Sequence, residues 1–182
     1  MNDQTYFLAN AAHELQTRDL TDYSMSDQLT KQRSDLCNLL RRAYLSCLPL
    51  TEGTNKTLTY TSRVSCAYMP LDSPKMMEAL LNLIVNALDA VSDNGSVQII
   101  LTKSNEQFVV SIIDDGCGIA PKQLLTIFHP FTTTKPDGTG LGLPVAKRII
   151  EGHGGHIRVS SAPNQGATFT FLLPCSFSSD KK

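Results

Sequence analysis

Two asparagines spaced one helical turn apart are the first residues in this sequence that could do chemistry. Asn82 and Asn86 lie on one predicted helix. Glu78, one turn earlier, and Asp89, three residues later, extend the same polar face. An amide oxygen is a hard, neutral ligand that suits Mg²⁺ beside phosphates. The face is therefore either a magnesium–nucleotide site or the solvated side that any surface helix needs, and the helix by itself does not decide between them.

A second candidate site follows an apolar stretch, where Asp114-Asp115-Gly116-Cys117-Gly118 ends a predicted strand. Glycines one residue apart let the backbone approach a ligand closely. We expect Asp114, the first residue of Asp-x-Gly-x-Gly, to accept a hydrogen bond from an exocyclic amine such as the adenine N6. Asp115 should then point the other way. An ordinary Asp-Gly turn between a strand and a helix would have the same sequence.

A third candidate is the run Gly138-Thr139-Gly140-Leu141-Gly142-Leu143, which precedes a predicted helix. Glycine-rich backbone entering a helix supplies free N–H groups and the positive end of the helix dipole, so it can hold a polyphosphate. The run lacks the Gly-Lys-Ser/Thr of a P-loop, and it does not follow the first strand as a dinucleotide-binding fingerprint does. Lys135 and the threonines from Thr132 to Thr134 stand just before it and could contact phosphates.

The segment between the second and third candidates contains Pro121, Pro130 and Pro136. This composition predicts a mobile lid that Phe128 and Phe131 hold against the core. The alternative is an ordinary surface loop with two buried aromatic side chains.

These stretches resemble the conserved boxes of one family. Together with Phe128-His129-Pro130-Phe131, they follow the order, spacing and context of the N, G1, F and G2 boxes of the histidine-kinase ATP-binding domain. Gly166-Ala167-Thr168-Phe169 is similar to that family's last glycine box. The resemblance covers about Asp35 to Pro174, and the run from Phe128 to Leu143 looks most like the nitrogen-regulation-type sensor kinases. Asp89 stands where many members have a basic residue.

The resemblance implies a site for ATP and Mg²⁺. Asn86 would be the principal metal ligand, Asn82 would lie nearby as a catalytic residue that also binds the nucleotide, and Asp114 would bind adenine. The remaining residues implied to bind the nucleotide are Asp89, Gly116, Gly118, Ile119, Phe131, Thr133, Thr134, Lys135, Gly138, Thr139, Gly140, Leu141, Gly142, Leu143 and Thr168.

The position of Asn82 bears on the reaction. The same fold is shared with DNA gyrase, a heat-shock chaperone and mismatch-repair ATPases, whose hydrolysing members have a glutamate one turn before the metal-binding asparagine. That glutamate is the general base that activates water. An amide such as that of Asn82 cannot take a proton, and Glu78 lies a further turn away. The resemblance therefore implies phosphoryl transfer to a histidine, for relay to an aspartate of a response-regulator receiver domain. An ATP-hydrolysing module and a nucleotide-binding pseudokinase are the alternatives.

The N-terminal stretch from Phe7 to Thr17 resembles the box that contains the phosphoacceptor histidine, here His13. Arg18 replaces the proline usual in the family. From His13 to Asp35 there are 22 positions, or ~33 Å of helix, which fits one helix but not the usual antiparallel pair. Either His13 is a phosphoacceptor on a shortened element, or the chain begins within the second hairpin helix and His13 is incidental. A homodimer through this helix is a further expectation.

Hydrophobic periodicity and turn signals place these residues on alternating helices and hairpins. They predict an α+β fold: a two-layer sandwich with a mixed, mostly antiparallel sheet, helices on one face and a preceding N-terminal helix.

A helix over 4–18 is followed by a segment, Asp19–Ser34, that continues the helix and becomes a linker. The expected helices are Leu36–Leu48, Ser73–Val91, a short one from Pro121 and Leu141–Glu151; the expected strands are Thr57–Ser62, Arg63–Met69, Val97–Thr102, Phe108–Ile113, Ile157–Ser160 and Ala167–Leu173. Asn94-Gly95 is a hairpin signal.

Composition bounds the class of protein. The chain has 182 residues, 41% of them hydrophobic, and a net charge of −1, which predicts a globular core and no nucleic-acid footprint. No apolar run approaches the ~20 residues that span a bilayer, and no signal peptide is recognisable at the start. Five scattered cysteines indicate reduced thiols and a cytoplasmic protein. We expect residues 1–33 to form the dimerisation or phosphoacceptor helix and linker, 34–175 the ATP-binding domain and 176–182 a flexible tail.

Overall fold

The structure, a computed structural model, describes residues 28–135 and 138–175. Its strands are β1 (Gln32–Asp35), β2 (Thr57–Ser62), β3 (Tyr68–Leu71), β4 (Ser96–Ser104), β5 (Gln107–Asp114), β6 (His156–Ser161) and β7 (Ala167–Pro174). Its α-helices are α1 (Leu36–Cys47), α2 (Ser73–Ala90), α3 (Pro121–Leu124) and α4 (Gly142–Gly152), and a 3-10 turn (Leu48–Thr51) follows α1. The predicted helix over 4–18 and the predicted tail lie outside the described residues.

The main sheet has five strands in the order β2-β4-β5-β7-β6. The β2–β4 pair is parallel and the other three pairs are antiparallel. A parallel pair needs a crossover connection, and β3 with α2 provides it. The predicted mixed, mostly antiparallel sheet is confirmed.

One face of this sheet is buried under the helices α1, α2 and α4. Alternate residues of the central strands point to that face and are almost fully inaccessible; they include Val97, Ile99 and Leu101 of β4, Val110 and Ile112 of β5, and Phe169, Phe171 and Leu173 of β7. Because side chains alternate along a strand, this pattern covers only one side of the sheet. The predicted two-layer sandwich is confirmed.

The helix α2 lies at the centre of the helical layer and begins at a well-formed cap. Asp72 Oδ1 accepts a hydrogen bond from the Lys75 N–H at 3.1 Å, and Pro74 occupies the first turn, where its missing N–H costs nothing. Its apolar stripe, which includes the fully buried Leu80, Leu83 and Ile84, packs into the core. The opposite side of the helix therefore remains available for polar residues.

His153 joins the end of α4 to the start of α2. Its Nε2 accepts a hydrogen bond from the Asp72 N–H at 2.9 Å, so Nδ1 must bear the proton that it donates to the Ile149 carbonyl at 2.7 Å. The ring is 4% exposed, and burial lowers its pKa below the ordinary value. His153 is therefore a structural histidine that the fold requires to be neutral.

Two predicted features of the fold are wrong. The sequence predicts one strand over Arg63–Met69, but residues 63–65 form a bend, residues 66–67 are irregular, and the strand β3 begins only at Tyr68. Asn94-Gly95 was expected to open a hairpin, but it joins α2 to β4. The hairpin turn lies at Asn105, which has a left-handed φ of 52° and connects β4 to β5.

A small second sheet was not predicted. Residues 32–35 were expected to be linker or cap, but β1 pairs antiparallel with β3, with Gln32 opposite Leu71 and Asp35 opposite Tyr68. Arg33 adds a cation–π contact, with its guanidinium 4.9 Å from the centre of the Tyr68 ring. Across residues 28–135 and 138–175, none of the helices has the length and apolar character needed to span a bilayer.

The buried His153 predicts a loss of stability in mild acid. Because its native pKa is lowered, the unfolded chain binds the proton more readily, so the stabilisation is complete above the unfolded value of about 6.5 and is lost as the pH falls below it. Denaturant unfolding between pH 7.5 and 5.5 should show a free energy of unfolding that falls by up to ~1.4 kcal/mol per pH unit from this group.

The variant His153→Leu should be less stable at pH 7.5 but should lose less stability on acidification. His156→Gln, which alters an exposed histidine on β6, should keep the wild-type pH dependence. An unchanged pH slope in His153→Leu would show that other groups cause the acid sensitivity.

Candidate nucleotide-binding site

The polar face of α2 meets the start of α4 at Asn82. The Asn82 side chain packs against Gly142, since a Cβ built on that glycine would lie 3.5 Å from Asn82 Oδ1. Asn82 Nδ2 is buried and has no hydrogen-bond partner among the described residues. Leaving a buried donor unpaired costs ~1–3 kcal/mol. A ligand that brings a hydrogen-bond acceptor to this amide would remove that cost.

One turn along the same face, Lys135 lies across Asn86 and Asp89. Its Nζ is 2.7 Å from Asp89 Oδ2 and 3.5 Å from Asn86 Oδ1. Both charged side chains are about half exposed, and an ion pair of this kind contributes at most ~1 kcal/mol. The contact brings the predicted metal-binding helix and the predicted phosphate-binding loop together, and it is weak enough to be replaced by a ligand.

Asp114 ends β5 as a buried carboxylate that organises the backbone around it. Its Oδ1 accepts hydrogen bonds from the N–H groups of Gly116 at 3.0 Å and Ala167 at 3.1 Å. Burial raises the pKa of this carboxyl, and the two backbone N–H groups oppose that shift. Neither bond uses Oδ2, so the second oxygen of Asp114 can accept from a ligand.

Asp115 points in the opposite direction. Its two oxygens accept from the Ser96 N–H at 2.8 Å and the Ser96 hydroxyl at 2.7 Å, and these bonds lower its pKa. The two adjacent aspartates therefore have different surroundings: Asp114 is buried among the glycine turns, whereas Asp115 is exposed at the start of β4.

The loop after Asp114 is built from close backbone contacts. A Cβ on Gly116 would lie 2.4 Å from the Ala90 carbonyl oxygen at the end of α2. On Gly118, where φ is +69°, it would lie 2.0 Å from the Ala162 carbonyl oxygen. No larger residue fits at either position, so the loop is held against both α2 and the β6–β7 turn.

Ser161 belongs to this framework although it was not predicted from the sequence. Its hydroxyl oxygen accepts from the Ile119 N–H at 2.9 Å and donates to the Gly166 carbonyl at 2.6 Å. It thus joins the glycine loop after β5 to the last glycine box. The only signal in the sequence is its position at the end of a strand near Gly166, which is too weak to identify it.

The glycine-rich run before α4 forms a tight turn. Gly140 has φ +68°, and its carbonyl accepts from the Phe131 N–H at 3.0 Å. Gly138 lies against the hydroxyl of Thr133, and the Leu141 N–H lies 3.4 Å from the hydroxyl of Thr139. Residues 142 onward form α4, so the free N–H groups of its first turn adjoin Asn82.

The two phenylalanines of the F box behave differently. Phe128 meets Phe169 edge to face at 6.5 Å, and its ring lies 5.4 Å from Lys147 Nζ, as expected for a residue held on the core. The expectation that Phe131 is also held there is wrong. Phe131 is 66% exposed and has a left-handed φ of +64° because its backbone is bonded to the Gly140 turn.

The remaining predicted residues are spread around these contacts. Thr134 is exposed, Leu143 packs on the core, and Thr168 lies on β7 opposite Ile113. His13 lies outside the described residues.

These residues form a candidate site whose chemistry suits a magnesium–nucleotide. The buried Asn82 donor and the free helix N–H groups suit phosphate oxygens, and the amide oxygen of Asn86 suits a hard cation. The available oxygen of Asp114 suits a purine amine. The donor set therefore fits ATP with Mg²⁺.

A family model for histidine kinase-, DNA gyrase B- and HSP90-like ATPases matches residues 71–176. The sensor histidine kinase ZraS of Salmonella typhimurium is 35% identical over 166 residues, covering 82% of this chain and 36% of the relative. The chain thus spans little more than a third of the length of this curated relative.

Two solved structures are also similar. The nucleotide-free catalytic domain of histidine kinase ThkA has a TM-score of 0.74 and 28% identity, covering 81% of this chain and 99% of that domain. ThkA in complex with the response regulator TrrA has a TM-score of 0.76 and 26% identity, covering 92% of this chain and 49% of that one. The family match and these likenesses agree with the site geometry, and the chain belongs to the family of histidine kinase-, DNA gyrase B- and HSP90-like ATPases.

Proposed function

We propose that this chain is the catalytic core of a sensor histidine kinase, which binds Mg-ATP and transfers the γ-phosphoryl group to a histidine. The observation that supports this most directly is the buried, unpaired amide of Asn82, which faces the glycine-rich start of α4. An unsatisfied buried donor beside free helix N–H groups suits a phosphate chain better than any apolar ligand. The named sensor kinases among the relatives support the same reaction.

At the adenine end, Asp114 would accept a hydrogen bond from the exocyclic amine. Its Oδ1 is already bonded to Gly116 and Ala167, which leaves Oδ2 for the ligand and keeps the carboxylate in a single orientation. A carbonyl group at that position of the base would instead face a carboxylate oxygen and be repelled. Asp114 therefore favours adenine over guanine nucleotides.

At the phosphate end, the glycine-rich backbone that leads into α4 at Gly142 would donate N–H groups; the Gly138 N–H already donates to the Lys135 carbonyl at 3.2 Å. Lys135 would exchange its weak ion pair with Asp89 for a phosphate oxygen. Asn86 would bind Mg²⁺, with Asn82 donating nearby, and the metal would neutralise charge that develops on the phosphates. The residues of this chain thus position the nucleotide and its charge.

Asn82 also favours transfer to a side chain over hydrolysis. A hydrolysing enzyme needs a general base beside the attacking water, and an amide cannot serve as one. Glu78, the next carboxylate along the face, is ion-paired with Lys75 at 3.3 Å. The transferred group would therefore go to a histidine nitrogen, with ADP leaving, and then to a response-regulator aspartate. The complex formed by ThkA and TrrA is a precedent in a similar kinase.

Four finer points rest on the sequence and its resemblance. The run from Phe128 to Leu143 supports the nitrogen-regulation-type subgroup, and the use of ATP together with five unpaired cysteines supports a cytoplasmic setting. His13 is the candidate phosphoacceptor within this chain, and a homodimer through its helix is proposed on the same resemblance.

The two adjacent aspartates provide a matched test of the adenine site. Asp114→Asn should weaken ATP binding by about tenfold to a hundredfold, because it removes a charge-assisted hydrogen bond worth ~1.5–3 kcal/mol. Asp115→Asn changes an exposed carboxylate bonded to Ser96 and should leave ATP affinity unchanged. Calorimetric titration with ATP and GTP measures both effects. Equal losses in the two variants would contradict the assignment of Asp114.

Two glycines with left-handed φ, Gly140 in the proposed phosphate-binding loop and Gly154 outside it, provide a test variant and its control. Gly140→Ala places a Cβ 2.6 Å from the Phe131 carbonyl carbon, so the loop must shift and ATP affinity should fall by more than about tenfold. Gly154 has a similar φ of +77°, but a Cβ there meets only Pro174 Cγ at 3.7 Å. Gly154→Ala should therefore cost ~1 kcal/mol of stability and no ATP affinity. An unaltered affinity in Gly140→Ala would exclude this loop from the site.

Phosphate incorporation from γ-labelled Mg-ATP tests the reaction itself. The wild-type chain should acquire an acid-labile label, His13→Gln should lose it, and His156→Gln, an exposed control, should keep it. Retained ATP binding with no label in any variant would mean that this chain lacks its own substrate histidine. Sustained release of inorganic phosphate would favour the ATPase alternative, and absence of ATP binding would contradict the proposal as a whole.

A further inference from the structure

One carboxylate brings two cysteine-bearing segments together, away from the nucleotide site. Asp35 Oδ1 accepts hydrogen bonds from the Cys37 N–H at 3.0 Å and from the Ala67 N–H at 2.9 Å. The two backbone nitrogens can therefore be no farther apart than these two distances added together. Cys66 immediately precedes Ala67, so its backbone lies beside that of Cys37.

The pairing of β1 with β3 leads to the same juxtaposition. Asp35 is opposite Tyr68 in the antiparallel register, and the Leu36 N–H donates to the Ala67 carbonyl at 3.0 Å. The next positions along the two segments are Cys37 and Cys66. A disulfide requires Cα atoms within ~7 Å of each other. The strand register ends at Asp35 and Tyr68, and Cys37 already lies in α1, so the proximity of the two cysteines rests on the hydrogen bonds of Asp35 with the Cys37 and Ala67 N–H groups.

The Cys37 side chain is directed towards the segment that leads to Cys66. Its Sγ lies 3.8 Å from both the Ser62 hydroxyl oxygen and the Val64 carbonyl oxygen. Cys66 is exposed and Cys37 is partly exposed, so an oxidant in solution can reach the pair. Burial raises the pKa of the Cys37 thiol; the hydrogen bond with Ser62 opposes this shift, and the negative charge of Asp35 adds to it. Cys37 therefore suits the resolving role rather than the first reaction with an oxidant.

We propose that Cys37 and Cys66 form a reversible disulfide when the protein meets a peroxide. The exposed Cys66 thiolate would attack a peroxide oxygen, forming a sulfenic acid and releasing one water after protonation. The Cys37 thiolate would then attack that sulfur and expel hydroxide, which leaves as a second water. Two thiols are oxidised and one hydrogen peroxide is reduced to two waters. The bond would join the start of α1 to the residues before β3.

The three other cysteines lie elsewhere in the fold. Cys47 is buried at the end of α1, Cys117 lies in the glycine loop after β5, and Cys175 follows β7. They provide internal controls, because trypsin cleavage at lysine and arginine places each of the five cysteines in its own peptide. Cys37 falls in residues 34–41 and Cys66 in residues 64–75.

The test is treatment of the folded full chain with hydrogen peroxide, alkylation of the remaining thiols, trypsin digestion and mass spectrometry. We expect a monomer that has lost two hydrogen atoms and contains the cross-linked peptides 34–41 and 64–75. Dithiothreitol should reverse the cross-link. Cys66→Ser, which changes an exposed side chain, should abolish it, whereas Cys175→Ser should leave its yield unchanged.

Full alkylation of Cys37 after complete oxidation of Cys66 would overturn the proposal. So would a cross-link that joins Cys66 to a cysteine of a second chain, or one whose yield is the same in the unfolded protein. Each outcome is read from the peptides alone and is independent of ATP binding.

Discussion

The candidate site depends on one point of close backbone contact, where three elements meet without side chains between them. Gly116 lies against the Ala90 carbonyl at the end of α2, and a Cβ on Gly166 would lie 1.9 Å from the Asp114 carbonyl oxygen. The Gly166 N–H donates to the Gly116 carbonyl at 3.0 Å. The Cys117 N–H donates to the Ala90 carbonyl at 3.1 Å. The end of β5, the end of α2 and the start of β7 are therefore fixed relative to one another. The orientation of the Asp114 carboxylate follows from this contact.

The phosphate end is held differently. There the contacts are side chains that a ligand can replace: an exposed ion pair between Lys135 and Asp89, and a buried Asn82 donor with no partner among the described residues. The first contributes little and the second is unfavourable, so neither stabilises the present arrangement strongly. A rigid end around Asp114 and an adjustable end around Asn82 and Lys135 are the arrangement that the proposed transfer of a terminal phosphoryl group would use.

Hydrophobic periodicity and capping signals predicted the bounds of an element correctly where no contact between distant segments altered it. The strand β2 and the helix α2 were predicted within a residue, because an alternating run and a capped apolar stripe have no competing interpretation. The hairpin predicted at Asn94-Gly95 was wrong because a turn that favours left-handed φ can follow a helix as well as open a hairpin. Phe131 misled because its exposure follows from a backbone bond to Gly140, which no property of phenylalanine indicates. Ser161 was missed for the same reason: its role depends on contacts between segments far apart in sequence.

The ends of α2 and α4 that lie away from the glycine loops are tied to residues 30–31, which precede β1. The Thr30 N–H donates to Asp72 Oδ2 at 2.9 Å, and Lys31 Nζ donates to the Gly152 carbonyl at 2.7 Å. His153 joins the same two helix ends through the Asp72 N–H. Since α2 contains Asn82 and Asn86 and α4 begins at the glycine-rich loop, both helices connect residues 30–31 to the candidate site. Residues 30–31 therefore contact both helices that lead to the candidate site, at the helix ends opposite to it.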